Sequence, residues 1–224
     1  MTITLYTFDW LPAFPRGFVR DLRVRWVLEE VGRAYRVDTV PLQPKSDAHR
    51  AMQPFAQVPM IRDGDLTLFE SGAILLHLAE GTALLPDNRR AEVTQWLIAA
   101  LNTVEPAIGF WMGMVLAQRM PGAFGVPPGQ DVIDSARKGM NDRLRQIENL
   151  LAERTWIAGD FSVADIMMVD VLRVPAHEGA LTDFPALTGY VARATSRPAF
   201  AKAMADHMAH WQAADAAREA RASA

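Results

Sequence analysis

The segment at 55–71 constrains the fold more than any other part of the chain. Two short apolar runs, Val58–Ile61 and Leu66–Phe69, flank an Asp-Gly-Asp sequence at 63–65, which predicts a hairpin of two strands. Pro59 lies where the first strand begins and has no N–H to donate, so it indicates an edge position or a cis peptide bond. The segment is therefore typical of a small sheet with a proline at its margin.

The two residues after the hairpin open a helical pattern. Glu70 and Ser71 follow the second apolar run directly, so a carboxylate and a hydroxyl lie at the predicted helix N-terminus. The first backbone N–H groups of a helix have no partner within that helix. Such an end is suited to binding an anionic group.

The first 80 residues mix strand and helix patterns. Strands are predicted over Ile3–Phe8 and Tyr35–Val40, and a helix runs through Leu22 and stops at Gly32. Shorter helices are predicted over 46–52 and 71–80. The apolar and polar pattern alone supports an α/β class for this part of the chain.

The Gln-Val-Pro sequence and the Glu-Ser pair resemble the glutathione site of the cytosolic, bacterial-type glutathione S-transferases. The resemblance implies a thioredoxin-like N-terminal domain with the order β-α-β-α-β-β-α. It also implies that Gln57 and Val58 contact glutathione from a strand and that Pro59 is the family's cis-proline. Glu70 and Ser71 would then hold the γ-glutamyl end of glutathione.

The rest of the chain has a helical pattern. Gly81–Asn88 contains Pro86 and indicates a linker. We therefore predict an α/β thioredoxin-like glutathione-binding domain at 1–80, a linker at 81–88 and an all-α C-terminal domain at 89–224. The family resemblance covers nearly the whole chain and implies that the helical domain contributes the hydrophobic substrate site.

Two long helices are predicted in the second half. Apolar spacing indicates one amphipathic helix over Val93–Ile108, which Pro106 should kink near its end. A second helix is predicted over Met140–Leu151. The Ala-rich polar tail after Trp211 is predicted to be frayed helix or disordered.

A capping motif marks the start of a later helix. Ser162 is followed three positions later by Asp165, a pair that resembles a capping box with the acid in the usual place of Glu. Phe161 and Ile166 are placed as a hydrophobic staple. The motif resembles the N-capping motif of the transferase C-terminal domain, so we expect Asp165 to be structural, with a capping contribution of about 1 kcal/mol.

The chain contains no cysteine, which excludes disulfides, thiolate metal sites and any mechanism that uses a protein thiol. Family members that act as thiol transferases, dehydroascorbate reductases or hydroquinone reductases need an active-site cysteine, so those reactions are excluded. The five histidines follow no HExxH or similar spacing. We expect no metal site.

Charge and hydropathy limit the classes of binding partner and the cellular locations that we expect for this protein. The net charge is −3 with both signs interspersed, which gives no reason to expect nucleic acid or a membrane as a partner. We expect no apolar run to approach the ~20 residues that span a bilayer, and the N-terminus lacks a secretory pattern. We expect a cytoplasmic protein.

The reaction that the resemblance implies needs glutathione as a thiolate. A cysteine thiol with a pKa of about 8.5 is only slightly ionised at neutral pH, and lowering that pKa by two units takes ~2.7 kcal/mol. Relatives place a Tyr, Ser or Cys between the first strand and the first helix for this purpose. Here residues 9–18 contain none of these three residue types.

Three replacements can be considered for the activating group. Tyr6 lies in the first strand, near the hydroxyl of tyrosine-type relatives. Arg16 and Arg20 lie where the loop meets the helix, so a guanidinium could stabilise the thiolate. The third possibility uses only the backbone N–H groups of Gly17 and Phe18.

Other contacts with the substrates follow from the resemblance. Lys45 or His49 would bind the glycine carboxylate of glutathione, and Ala56 replaces a family glycine, although alanine tolerates a positive φ poorly. The electrophile should lie between the domains against apolar side chains. The candidates are Trp10, Phe14, Phe110, Trp111 and Met114.

The sequence therefore predicts a dimeric, glutathione S-transferase-like detoxification enzyme. The enzyme would conjugate the thiolate of glutathione, its co-substrate, to a small apolar electrophile. Two alternatives are glutathione-dependent peroxidase activity on organic hydroperoxides and a non-catalytic glutathione-binding or interaction module. The sequence names neither the electrophile nor the dimer interface.

Overall fold

The computed structural model describes residues 2–223. The elements up to residue 79 are β1 (Ile3–Phe8), α1 (Asp21–Val31), β2 (Tyr35–Val40), α2 (Asp47–Met52), β3 (Met60–Asp63), β4 (Leu66–Phe69) and α3 (Ser71–Ala79). The later α-helices in this range are α4 (Arg90–Ala99), α5 (Glu105–Arg119), α6 (Gln130–Leu151), α7 (Val163–His177), α8 (Pro185–Thr195) and α9 (Pro198–Ala222). The contacts divide these elements into two compact units. One contains the described residues up to Pro86 together with those from Thr195 onward, and the other contains Asp87–Ala194.

The sheet of the first unit has the strand order β2-β1-β3-β4. β1 is parallel to β2 and antiparallel to β3, and β3 and β4 form the predicted hairpin. This topology confirms the predicted β-α-β-α-β-β-α order, and β1 and β2 have the predicted bounds. β3 begins at Met60 rather than Val58, because Pro59 has no N–H to offer the ladder.

The tail after Trp211 is helical to Ala222. Of the two predicted alternatives, the helix is confirmed and disorder is wrong, whereas fraying of that helix stays a prediction. α9 extends to Ala222 and packs along α1, and its residues His207 and Trp211 are fully buried. Alanine has a high helix propensity, and packing supplies the stability that an isolated helix lacks. By its contacts α9 belongs with the first unit, although the sequence pattern continues the helical series after residue 89.

Pro106 does not end the long helix of the second unit. The helical run continues as α5 to Arg119, and Ala100–Val104, between α4 and α5, has π-helical hydrogen bonding. A proline removes one donor and clashes with the carbonyl four residues earlier, which here belongs to Asn102. The disturbance that the structure shows is a π segment just before the proline, whereas the predicted kink stays a prediction.

The helical run Asp87–Arg119 spans 33 residues and contains an 18-residue window of mean hydropathy 1.2. By length and composition this one helix among residues 2–223 is sufficient to cross a membrane. The prediction that no apolar run approaches that length is therefore wrong. Core helices of soluble proteins can have the same length and composition. The side chains of Val93, Leu97, Ile108 and Trp111 are buried within the second unit.

Helix α7 begins with the predicted capping box. Ser162 is its N-cap residue, and the Asp165 carboxylate accepts the Ser162 N–H. Asp165 is fully buried. The motif therefore fixes the start of α7 inside the core of the second unit.

Candidate functional site

The segment with Pro59 before β3, the C-terminal end of α2 and the N-termini of α1 and α3 meet around one small cavity in the first unit. The residues that line it are Arg20, Gln53, Gln57, Val58, Pro59, Glu70 and Ser71. Five of these are the residues predicted to contact glutathione from the strand and from the next helix. Residues that are distant in the sequence therefore line one cavity.

The strand side of the cavity is set by a cis peptide bond and a buried histidine. The Val58–Pro59 bond is cis, as expected. The Gln57 carbonyl oxygen lies 3.0 Å from Nε2 of His49, whose side chain is completely buried. Because His49 is enclosed, it positions the Gln57 backbone and is not placed to bind the glycine carboxylate of a ligand.

Two non-glycine residues near the cavity have left-handed backbone conformations. Ala56 has φ 50° and Glu70 has φ 67°. Such conformations cost about 1 kcal/mol or more and occur preferentially at binding and active sites. Glycine adopts such a conformation more easily than alanine, so the backbone at Ala56 is strained.

The N-terminus of α3 presents its polar groups to the cavity. Glu70 is exposed and makes no side-chain capping bond to the helix. Ser71 is buried, and its Oγ accepts a hydrogen bond of 3.2 Å from Nη1 of Arg23. The guanidinium of Arg23 therefore adds positive charge behind the hydroxyl.

Sequence reasoning missed Arg23 and Gln53 as site residues. Arg23 lies between two apolar residues of α1, and its buried position is visible only once α1 and α3 pack together. Gln53 is 3% exposed and lines the cavity, and its Oε1 has no hydrogen-bond partner in residues 2–223. The position of Gln53 just before Pro54, in the segment that leads to the cis-proline, was the one available signal.

Of the two arginines proposed as activating groups, only Arg20 lines the cavity. Arg16 donates from Nη1 and Nη2 to the carboxylate of Asp215, at 2.5 and 2.7 Å, and also bonds the Leu11 carbonyl. Hydrogen bonding to Arg16 lowers the pKa of Asp215 to about 2. The Arg16 side chain is thus committed to an ion pair with α9.

The other proposed activating groups are also engaged elsewhere. The Gly17 N–H donates to Nε2 of His207 at 3.3 Å, and the Phe18 N–H donates to the Pro15 carbonyl at 3.0 Å. Neither N–H points freely towards a ligand. The mechanism that used only these two backbone groups therefore has no available donor in this arrangement.

Tyr6 packs in an apolar cluster on one face of the sheet. Its side chain is 7% exposed. The cluster consists of Tyr6, Val40 and Met60, with Phe8, Met52, Val58 and Phe69 packed against it. Tyr6 is therefore a packing residue beside the cavity residue Val58.

Lys45 lies against an aromatic ring. Its Nζ is 4.4 Å from the centre of the Phe8 ring. Burial, together with the nearby charge of Arg50, lowers the pKa of Lys45. Lys45 is not one of the residues that line the cavity. The cavity therefore does not support the proposed contact between Lys45 and the glycine carboxylate of glutathione.

The predicted apolar substrate residues occur in both units. In the first unit, the indole of Trp10 donates to Oδ1 of Asp215 at 2.8 Å, and Phe14 is 51% exposed. In the second unit, Phe110 is 58% exposed, Met114 is half-buried and Trp111 is 4% exposed. Trp111 is therefore mainly a core residue of its own unit.

Comparison with known proteins gives two matches to family models. The glutathione S-transferase N-terminal domain matches residues 14–80, and the glutathione S-transferase C-terminal domain matches residues 109–198. A protein of Oryza sativa subsp. japonica, named as a probable glutathione S-transferase, is 32% identical over 190 residues. The match covers 79% of this chain and 86% of that relative.

Solved structures agree with these sequence matches. A glutathione transferase from Populus trichocarpa matches with a TM-score of 0.76 at 26% identity, over 92% of this chain and 99% of that one. A glutathione transferase from Burkholderia graminis, solved with two glutathione molecules per subunit, matches with a TM-score of 0.75 at 26% identity. That match covers 91% of this chain and 87% of the other. The chain belongs to the glutathione S-transferase family of enzymes, and it has that family's thioredoxin-like N-terminal domain and helical C-terminal domain.

Proposed function

We propose that this protein is a glutathione transferase that conjugates the thiolate of glutathione to an apolar electrophile. The observation that carries the proposal is the cavity at which the cis-Pro59 segment and the N-terminus of α3 meet. Family membership supports glutathione as the substrate of this cavity. Detoxification of small apolar compounds in the cytoplasm, by a homodimer, is the corresponding cellular role.

The cysteinyl and γ-glutamyl parts of glutathione have chemically suited partners in the cavity. The backbone of Val58 pairs with the cysteinyl part of the substrate, and Gln57 extends this contact. Glu70 binds the γ-glutamyl ammonium group through a charge-assisted hydrogen bond. The hydroxyl of Ser71, backed by Arg23, and the N-terminus of α3 bind the γ-glutamyl carboxylate.

Arg20 is the side chain that we assign to thiol activation. It lies at the N-cap position of α1 and is one of the residues that line the cavity, whereas Arg16 and Tyr6 are not among those residues. A guanidinium beside the sulfur favours the charged form, and the positive end of α1 adds to this effect. A thiol pKa two units lower corresponds to ~2.7 kcal/mol of stabilisation.

The reaction then needs no further group from the protein. The thiolate sulfur donates an electron pair to the electrophilic carbon, a carbon–sulfur bond forms, and the leaving group departs with its bonding electrons. Where the electrophile is an activated alkene, the adjacent carbon takes a proton from water instead. Trp10 and Phe14 of the first unit supply apolar surface for the electrophile.

The test is a pH titration of glutathione bound to the purified protein, followed by the ultraviolet absorbance of the thiolate. We expect a bound thiol pKa well below the value of about 8.5 in solution. Binding of glutathione without any thiolate signal near neutral pH would favour the non-catalytic binding module. Absence of glutathione binding would contradict the proposal.

Three variants separate the possible activating groups. Arg20→Gln should raise the pKa of the bound thiol and lower kcat at pH 6.5 by on the order of tenfold or more. Tyr6→Phe should leave the thiol pKa unchanged. If Tyr6→Phe raises the pKa and Arg20→Gln does not, the assignment to Arg20 is wrong and the hydroxyl mechanism is correct.

A further inference from the structure

The loop between β1 and α1, residues 9–18, is fastened to α9 at several points. Trp10 and Arg16 both donate to the carboxylate of Asp215. The Gly17 N–H donates to His207, and the ring of His210 lies 2.9 Å from the Phe8 carbonyl, just before the loop. The segment in which relatives place their activating residue is therefore held here by the C-terminal helix.

Asp215 holds the loop with both of its oxygens. Oδ1 accepts the indole N–H of Trp10 at 2.8 Å and Nη2 of Arg16 at 2.7 Å, while Oδ2 accepts Nη1 of Arg16. Paired bonds between a guanidinium and a carboxylate fix the relative orientation of both groups. Nε and Nη2 of Arg16 also donate to the Leu11 carbonyl, so the loop is bound to α9 and to itself through one guanidinium.

His207 connects the end of the loop to the start of α1. Its Nε2 accepts hydrogen bonds from the Gly17 N–H at 3.3 Å and from the indole N–H of Trp211 at 3.1 Å. An imidazole nitrogen that accepts carries no proton, so the ring proton of the neutral form lies on Nδ1. That nitrogen is 3.3 Å from Oδ2 of Asp21, which also accepts a hydrogen bond from Arg25. His207, Asp21 and Arg25 are all buried.

One imidazole ring therefore holds both ends of the segment Gly17–Asp21. Arg20 lies inside this segment, immediately before Asp21, and is one of the residues that line the cavity. Gly17 has φ 86°, a conformation that other residues adopt only with strain. The backbone direction at Arg20 is thus fixed by contacts with α9.

We propose that His207, supported by Asp215, is a positioning residue that holds Arg20 in the orientation that stabilises the thiolate of glutathione. The proposal rests on the proposed function, because it assigns a role to α9 in the reaction of the same cavity. Asp215 fixes the body of the loop and His207 fixes its exit into α1. Neither residue lines the cavity, so both act through the backbone that carries Arg20.

The main test compares Asp215→Asn with Asp206→Asn. Asp206 is also on α9, but it pairs with Lys202 and has no hydrogen bond to the loop. Asp215→Asn keeps the size of the side chain and removes the charge that binds Arg16. We expect kcat/KM at pH 6.5 to fall by on the order of tenfold and the pH profile to shift to higher pH. The Asp206→Asn variant should match the wild type in both measurements.

A second measurement needs no glutathione. Hydrogen exchange of the Gly17 amide should be several-fold faster in Asp215→Asn than in the wild type or in Asp206→Asn, because loosening the loop exposes that N–H. His207→Gln keeps an acceptor for Gly17 and should give an intermediate exchange rate. His207→Phe removes both ring nitrogens. If this variant does not fold, the Gly17 exchange rates of Asp215→Asn and His207→Gln test the proposal.

Coupling to Arg20 distinguishes positioning from general stability. In an Arg20→Gln background, Asp215→Asn should cause no further change in the pKa of the bound thiol. Equal kcat/KM, pH profile and Gly17 exchange in Asp215→Asn and wild type would overturn the role of α9 while the transferase assignment holds. A wild type that binds glutathione without lowering its thiol pKa would overturn both proposals.

Discussion

Two helices of this protein begin with an acid and a serine. In α7 these side chains cap the helix, whereas in α3 the acid does not. Helix α7 begins with Ser162 and Asp165, and α3 begins with Glu70 and Ser71. At α7 the acid folds back onto the backbone and is buried. At α3 the acid is exposed, has a left-handed backbone and makes no capping bond.

The start of α7 satisfies its polar groups within the protein. The Asp165 carboxylate accepts hydrogen bonds from the N–H groups of Ile157 and Ser162, from the Ser162 hydroxyl and from the Tyr190 hydroxyl, at 2.7–3.0 Å. Burial raises the pKa of Asp165, and these hydrogen bonds oppose the rise. Burial, with the neighbouring Asp165, raises the pKa of Tyr190 well above its ordinary value.

The start of α3 instead keeps its polar groups available. Glu70 is in a strained conformation that lowers stability, and the helix end faces a cavity rather than a capping side chain. A helix end that is closed by its own side chains stabilises the fold, whereas an end left open at a cost in stability is suited to a ligand. Substitutions at the two ends should therefore affect different measurements.

The largest effect should come from Asp165→Ala. The substitution leaves buried donors from Ile157, Ser162 and Tyr190 without partners, so the free energy of unfolding should fall by about 3 kcal/mol. Urea denaturation measures this loss. Asp160→Ala, an exposed acid in the same loop, should change the free energy by less than about 0.5 kcal/mol. A loss below 1 kcal/mol for Asp165→Ala would mean that the buried network adds nothing to the cap.

Glu70→Ala should have the reverse profile. The Kd for glutathione should rise by on the order of tenfold to a hundredfold, because a charge-assisted bond to the substrate is lost. The free energy of unfolding should stay within about 0.5 kcal/mol of the wild type. Calorimetric titration and urea denaturation measure the two quantities. Glu80→Ala, at the other end of α3, is the control, and equal affinity of both variants would remove Glu70 from the site.

Glu70→Gly tests the backbone strain at the open end. Glycine adopts φ 67° without a steric penalty, so this variant should be about 1 kcal/mol more stable to unfolding than Glu70→Ala. Both variants should bind glutathione equally weakly. If Glu70→Gly is the less stable of the two in urea denaturation, the strain at this position is not significant.

The smallest effect on stability is expected at the Asp63 ion pairs near the C-terminal end of α3. His77, in the last turn, lies 3.0 Å from Asp63, which also pairs with Arg33. Hydrogen bonding to His77, with that to Arg33, lowers the pKa of Asp63, although burial opposes this. Asp63→Asn should lower the free energy of unfolding at pH 7 by about 1 kcal/mol.

The pH dependence of this effect has a definite sign. A carboxyl whose folded pKa is below its unfolded value of about 3.9 adds stability above that pH and loses it as the pH falls through the folded pKa. The difference between wild type and Asp63→Asn should therefore shrink as the pH falls below about 4. A difference that stays undiminished at about pH 2 would contradict this assignment.

The sequence predicted much of the candidate site because the relevant signals are local. The hairpin turn, Pro59, Glu70 and the Ser162 cap each depend on residues a few positions apart. Sequence reasoning missed the roles of Arg23 and His207, whose partners lie 48 and 190 positions away. It also assigned Gly17 and Phe18 as ligand donors, although their N–H groups have acceptors within the protein.

The sequence by itself determined the bounds of β1 and β2 and the start of α7, since periodicity, turns and caps act over a few residues. It also determined the absence of a protein thiol, because the chain has no cysteine. Only the tertiary structure decided that the Ala-rich tail continues α9 and that Asp215 holds Arg16. Only the tertiary structure showed that Arg20, and not Arg16, lines the cavity. The physical reason is that an ion pair between distant residues depends on which helix faces meet, and local propensity does not specify that choice.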